Sequence, residues 1–116
     1  MKRGDIWTVS GATDSAGKPR PAVIVQDDSF AATASVTICA FTTDETEAPL
    51  FRLLIEPSDT NGLKSPCRLM VDKITTVSRA KLGRHVGRLG DEDMVRLGRA
   101  MVVFLGIGSA ARRSAR

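Results

Sequence analysis

The stretch Gly17-Lys18-Pro19-Arg20-Pro21, running straight into Ala22-Val23-Ile24-Val25-Gln26, restricts the fold more than any other part of the chain. Each proline fixes its own φ and pushes the preceding residue towards extended geometry, so Lys18 and Arg20 are both biased to a strand-like backbone. The next four residues are apolar at consecutive positions, the pattern of a strand buried on both faces. Such a strand needs cover on either side, which favours a closed or layered β-structure. Arg20 thus stands on a stiff base at the edge of a core. A guanidinium held there suits a planar, bidentate contact with a phosphate or a carboxylate. Taken alone, the stretch reads more readily as a strand that opens on a solvated charge.

The rest of the chain is consistent with short strands. Asp5-Ile6-Trp7-Thr8-Val9 reads as a first strand, and the single tryptophan, Trp7, suits a core or dimer contact. Residues 10–18 form a polar, Gly-containing loop that leads to Arg20. Residues 30–35 suit a short helical turn or an irregular crossing. Residues 36–42 alternate as a third strand, with Val36, Ile38, Ala40 and Thr42 on one face and Thr37, Cys39 and Phe41 on the other. An acidic loop, 44–49, leads to a fourth strand at 51–56. Pro57-Ser58-Asp59-Thr60-Asn61-Gly62 is the strongest turn signal in the chain, because Asn and Gly accept positive φ at little steric cost. Residues 67–77 hold a fifth strand with a bend into a sixth, and 81–89 suit a short strand pair around Val86.

Only one segment has helical period. Asp91 is its expected N-cap, with acids in the first turn complementing the helix dipole. Met94, Val95, Leu97, Gly98, Met101, Val102, Phe104 and Leu105 share one broad face, expected to be core, while Arg96 and Arg99 point away. Gly106 and Gly108 end the helix. The expected fold is mainly β with a C-terminal helix, a small antiparallel β-barrel carrying one helix against it. Residues 1–108 form the single domain, and 109–116 are a basic tail expected to be disordered.

The 116 residues suffice for one domain, and 42% hydrophobic with 26% charged residues is an ordinary balance for a soluble protein. The formal net charge of +4 owes part of its excess to Arg112, Arg113 and Arg116 in the tail. It permits acidic or nucleic-acid partners. Cys39 and Cys67 fall in apolar runs and read as reduced core residues, since no signal-peptide pattern points to an oxidising compartment. The longest apolar run, 100–105, is too short to span a bilayer. The expected location is the cytoplasm.

Several chemistries are missing. There is no P-loop, no GxGxxG and no paired CxxC. His85 is the sole histidine, so a two-histidine ribonuclease site within one subunit is excluded. Set among arginines, His85 reads as a surface strand residue. Asp27, Asp28, Asp44, Glu45 and Glu47 lie in loop-like runs and read as solvated acids rather than metal ligands. What remains is Arg20, the nearby loop base Lys18 and strand-end hydroxyls. RNA cleavage by the substrate's own 2′-hydroxyl needs no external nucleophile and no metal. The protein must align that hydroxyl with the phosphorus and stabilise charge growing on the phosphoryl oxygens. An arginine and a threonine can do both. With a free pKa above about 12, Arg20 is better suited to charge stabilisation than to general-base work.

Lys2-Arg3-Gly4-Asp5-Ile6-Trp7, Arg20-Pro21-Ala22-Val23-Ile24-Val25-Gln26, Thr42, Asn61-Gly62-Leu63 and Asp72-Lys73-Ile74-Thr75-Thr76-Val77, in that order, resemble the MazF/PemK (Kid) toxin endoribonuclease family. The resemblance runs from Met1 to about Leu105. It implies the SH3-like, CcdB/PemK-type barrel and the toxin of a toxin–antitoxin pair. It also implies a homodimer that cuts single-stranded RNA at short sequences without a metal or other cofactor, leaving 2′,3′-cyclic phosphate and 5′-hydroxyl ends. Arg20 and Thr42 are the catalytic residues it implies, with Thr43 as the adjacent alternative, and Lys18, Gln26 and Thr43 form the expected RNA-contacting set. The implied partner is an antitoxin with an acidic inhibitory segment. Two positions depart from the usual pattern: Gln26-Asp27-Asp28 replaces Gln-Asn-Asp, and the loop before Arg20 lacks a common glutamate. Two alternatives remain. One is a gyrase-binding toxin of CcdB type, which places a tryptophan near the C-terminus where this chain has arginines. The other is a non-catalytic RNA- or peptide-binding barrel in which Arg20 anchors an anion.

Overall fold

A computed structural model describes residues 1–11 and 18–108. The strands are β1 (Asp5–Val9), β2 (Arg20–Ile24), β3 (Ser35–Thr42), β4 (Arg52–Ile55), β5 (Cys67–Met70), β6 (Thr75–Ser78) and β7 (Leu82–Arg88), followed by one helix, α1 (Asp91–Leu105). The antiparallel order is β4-β5-β3-β2-β1-β7, with β6 also on β3. β5 and β6 share one edge of β3. β5 pairs with Phe41 and Thr42, β6 with residues 35–38. The 3₁₀ turn Val71–Lys73 bends the chain between them. That bend is held by a two-pronged ion pair, with Arg52 Nε donating to Asp72 Oδ1 at 2.8 Å and Nη2 to Oδ2 at 3.0 Å.

Period-two alternation along β2 and β3 feeds a core on each face of the curled sheet. Val23, Val25, Cys39 and Phe41 pack with Leu97 and Ala100 of α1. Ala22, Ile24, Val36, Ile38 and Ala40 pack on the other side with Val9 and Met70, flanked by Trp7. This is why residues 22–25 are apolar at every position.

The barrel closes through a turn rather than a ladder. Asn61 is 2% exposed. Its Oδ1 accepts from Ser58 N at 2.9 Å and Leu63 N at 3.0 Å, and its Nδ2 donates to Glu56 O at 2.9 Å. The turn so braced lies against β7, where Arg88 N donates to Thr60 O at 2.8 Å. Gly62 takes φ +69°, and a Cβ on it would stand 2.3 Å from Val86 O. Only glycine fits there, on conformation and on space.

Three expectations need correction. Residues 82–88 form one strand against β1, not a short pair; register shifts between Ile6 and Trp7 and between Trp7 and Val9 let the shorter β1 pair along it from Arg88 to Leu82. Asp91 is the first helical residue. Gly90 stands at the cap without a side-chain hydrogen bond; the acids of the first turn complement the dipole, and Asp93 also pairs with Arg96 at 2.8 Å. The apolar face of α1 is only partly covered. Leu97 and Ala100 are buried, whereas Val95, Val102, Phe104 and Leu105 are 47–54% exposed. The single barrel is narrower than the stripe. Gly106 ends the helix at φ +69° as expected. The tail and the middle of the loop before Arg20 lie outside the described residues.

Candidate active site and nucleic-acid interface

Arg20 opens β2, paired with Val9 of β1, and is half-buried between Pro19 and Pro21. Thr42 closes β3, paired with Arg68 of β5. The β2–β3 register sets Ala22 opposite Ala40, Val23 opposite Cys39 and Ile24 opposite Ile38. Continued past the last pair by two residues, it sets Arg20 opposite Thr42. Beyond Ala22 and Ala40 the ladder stops, and both residues line one cavity of about 340 Å³. That volume falls at the small end of the range for ligand sites.

Among the described residues, Arg20, Lys64 and Arg84 are the charged members of the lining, with no carboxylate beside them. No hydrogen bond or ion pair holds the Arg20 side chain among the described residues. Thr8, Thr42, Thr43 and Ser65 add hydroxyls to the wall, while Phe41, Leu63 and Val86 add apolar surface. Thr42 Oγ1 accepts a hydrogen bond from Asp44 N at 3.1 Å, which orients the hydroxyl and leaves its proton for another acceptor. Cys67 also touches the cavity, but burial pushes its thiol up to about 11. Burial, reinforced by the charge of Asp72, pushes Cys39 up to about 12. Neither supplies a thiolate near neutral pH. Among the described residues no three of His, Cys, Asp or Glu gather as a metal site. The cavity wall combines cations, hydroxyls and apolar surface.

Of the residues expected to act here, the structure brings Arg20, Thr42 and Thr43 to the cavity. Lys18 is exposed at the approach to Pro19 and is not part of the wall. Gln26 sits past the far end of β2. Its Oε1 accepts from Thr37 N at 3.0 Å and its Nε2 donates to Phe30 O at 3.0 Å, so it braces the crossing between β2 and β3. His85 lies outside the cavity, edge-on to Trp7 with ring centroids 5.5 Å apart. Lys64 and Arg84 went unnoticed in the sequence. A signal existed for each: Lys64 follows the Asn-Gly turn, and Arg84 shares the alternation of β7 with Val86.

Fold and site together define a small antiparallel barrel with a cationic, hydroxyl-lined anion cavity at one end of its sheet. A family model described as PemK-like, MazF-like toxin of type II toxin–antitoxin system matches residues 2–105, and the chain belongs to that family. It is 55% identical over 107 residues to "Probable endoribonuclease MazF" of Mycolicibacterium smegmatis, covering 92% of this chain and 98% of that protein. It is 28% identical over 118 residues to "Endoribonuclease MazF9" of Mycobacterium tuberculosis, covering 94% and 99%. A mycobacterial endoribonuclease solved with its cognate antitoxin has the same fold, with a TM-score of 0.76, 23% identity and coverage of 95% and 99%. So does MazF in a MazE–MazF crystal from Deinococcus radiodurans, at a TM-score of 0.76, 14% identity and coverage of 93% and 98%.

Proposed function

We propose that the chain is the endoribonuclease of a toxin–antitoxin pair, cleaving single-stranded RNA by attack of the ribose 2′-hydroxyl on the adjacent phosphorus. The observation that carries this reading is the convergence of Arg20 and Thr42 on one cavity that also holds Lys64 and Arg84, with no acid among the described residues of its wall. In this mechanism Arg20 grips the non-bridging oxygens and stabilises the charge that grows on them. Thr42, oriented by Asp44 N, donates its hydroxyl to the same phosphate. Lys64 and Arg84 hold the flanking backbone, and the apolar wall receives a base. Lys18 and Thr43 extend the contacts at the rim. Gln26 acts indirectly, by bracing the strand that carries Arg20. The 2′-oxygen–phosphorus bond forms as the 5′-oxygen–phosphorus bond breaks; the 2′-hydroxyl gives up its proton to solvent and the leaving 5′-oxygen takes one up, leaving a 2′,3′-cyclic phosphate and a 5′-hydroxyl with no net change in protons.

The assembly is read as a homodimer in the cytoplasm. The uncovered face of α1 supports the dimer, since Val95, Val102 and Val103 line a groove with Arg3 and Arg99. The same cationic cavity would attract an acidic antitoxin segment. Among the described residues no helix is long and apolar enough to cross a membrane.

The test is incubation with a defined RNA in excess EDTA, with product ends mapped. Cleavage with 2′,3′-cyclic phosphate ends is expected, and Arg20→Ala should reduce it at least on the order of a hundredfold while leaving the melting curve in place. Thr42→Ala should cost more activity than Thr43→Ala. Unchanged cleavage by folded Arg20→Ala overturns the assignment. Inhibition of supercoiling without RNA cleavage would move the reading to a gyrase-binding toxin.

A further inference from the structure

Thr42 has a cation on each side. Cross-strand partners in an antiparallel ladder project to the same face, so Arg68 of β5, paired with Thr42, shares its face. Arg20 lies two residues beyond the last β2–β3 pair, Ala22 with Ala40, and lines the same cavity as Thr42. Arg68 stands outside that lining, on the β5 side of Thr42. The sequence order gives no hint that three strands bring these residues together.

Arg68 differs from the other structured arginine of this region. Arg52 is committed to the fold through both Nε and Nη2 on Asp72. Among the described residues Arg68 Nη2 donates to Glu47 Oε2 at 3.1 Å. Its side chain is packed down to 13% exposure, whereas that of Glu47 is 83% exposed. The guanidinium is therefore positioned by packing, and the carboxylate reaches it from solvent on the loop after β3. That loop is fastened at its start by Asp44 N on Thr42 Oγ1. A carboxylate and a phosphate present similar oxygens to an arginine fork. One exposed ion pair is worth little, so a phosphate can displace it.

We propose that Arg68 is a second phosphate-binding arginine of the site, and that the Glu47 carboxylate occupies it until RNA arrives. The inference rests on the RNA-cleaving reading above. Glu47 leaves as the phosphate next to the scissile one settles on Arg68, and the loop stays tethered at Thr42. Arg68 is a binding residue here, with Arg20 and Thr42 keeping the reacting phosphate.

The experiment measures binding of a fluorescent pool of 2′-O-methyl oligoribonucleotides, which cannot be cleaved at the methylated sugar, by anisotropy across a salt series. Glu47→Gln should tighten binding roughly two- to fivefold at low salt. Glu45→Gln makes the same charge change on the same loop without an Arg68 contact and should give a clearly smaller gain. Arg68→Gln should weaken binding, lower the slope of log affinity against log salt by about 0.7, and abolish the gain from Glu47→Gln in the double variant. Arg68→Lys keeps the charge and should keep the slope. Equal gains from Glu45→Gln and Glu47→Gln, or a Glu47→Gln gain that survives without Arg68, overturn the proposal. Glu47→Gln leaves the packed side chain intact, so this comparison stands even where an Arg68 variant folds poorly. Absence of any RNA binding by the wild type would instead overturn the functional reading itself.

Discussion

Gly87→Ala should destabilise the barrel by about 2 kcal/mol, although it adds one methyl group to a strand. A Cβ at Gly87 would lie 2.5 Å from Asn61 O, 2.6 Å from Asn61 C and 2.6 Å from Thr60 O. All three are main-chain atoms, and none can rotate away. Restoring an ordinary 3.4 Å contact means moving the turn by about 0.9 Å, the difference between 3.4 and 2.5. Overpacking of this kind costs about 1–3 kcal/mol. The displacement also stretches the bond from Arg88 N to Thr60 O, now 2.8 Å, worth about 0.5–1.5 kcal/mol. Against these, alanine reduces the freedom of the unfolded chain by about 0.4–1 kcal/mol. The net, near 2 kcal/mol, is a large share of a stability of about 5–15 kcal/mol. Urea unfolding followed by Trp7 fluorescence gives the midpoint and slope. Gly62→Ala should cost more, because it adds a left-handed backbone to a 2.3 Å approach to Val86 O. A Gly87→Ala midpoint indistinguishable from wild type would show that the turn does not close the barrel against β7. Because Gly62, Leu63 and Lys64 of that region line the cavity, RNA cleavage should fall in both variants under conditions where they stay folded.

Other consequences are open to simple measurement. The Arg52 hydrogen bonds, opposed by burial, hold the Asp72 carboxyl below its ordinary value. Its contribution is therefore complete above the unfolded carboxylate pKa of about 3.9 and is lost as pH falls through the lower folded value. Asp72→Asn should cost about 1.5–3 kcal/mol at pH 7, with the gap to wild type closing below about pH 4 in denaturation curves. Both cysteines should label with iodoacetamide at pH 8 at least on the order of a hundredfold more slowly in the native protein than in denaturant. Cys67 should react first, since it touches the cavity. Equal rates in both states would contradict their burial. Val102→Glu on the uncovered face of α1 should shift sedimentation towards monomer without lowering the helix content seen by circular dichroism. A dimer that persists unchanged would place the subunit contact elsewhere.

Much of this architecture is legible in local chemistry. The two prolines announce the start of β2, and the alternation of residues 36–42 assigns the two faces of β3 before any partner is known. Asn61 and Gly62 mark the turn. Residues 67–77 read as one strand bending into another, with the charged Asp72 and Lys73 between Leu69-Met70-Val71 and Ile74. Three features were hidden. The helical stripe from Met94 to Leu105 shows how much apolar surface α1 has, but the width of the barrel determines how much of it is covered. Gln26 resembles a contact residue in sequence, yet both ends of its amide are used in bracing the crossing. Lys64 and Arg84 carry only a turn exit and a strand alternation as local marks, and neither says that they join Arg20, because a turn and a strand far apart in the chain must first meet.

The sequence by itself determined where most of the strands and the helix lie, that an arginine is clamped at the mouth of a doubly buried strand, and which family the motifs resemble. Those depend on dihedral restriction and on alternation, which act over a few residues. Only the tertiary structure decided that Arg20 and Thr42 share a cavity with Lys64 and Arg84, that Arg68 pairs with Thr42, and that half the helix face is left bare. Register and closure are set by packing between residues far apart in the chain, and no local preference encodes which hydroxyl an arginine will face.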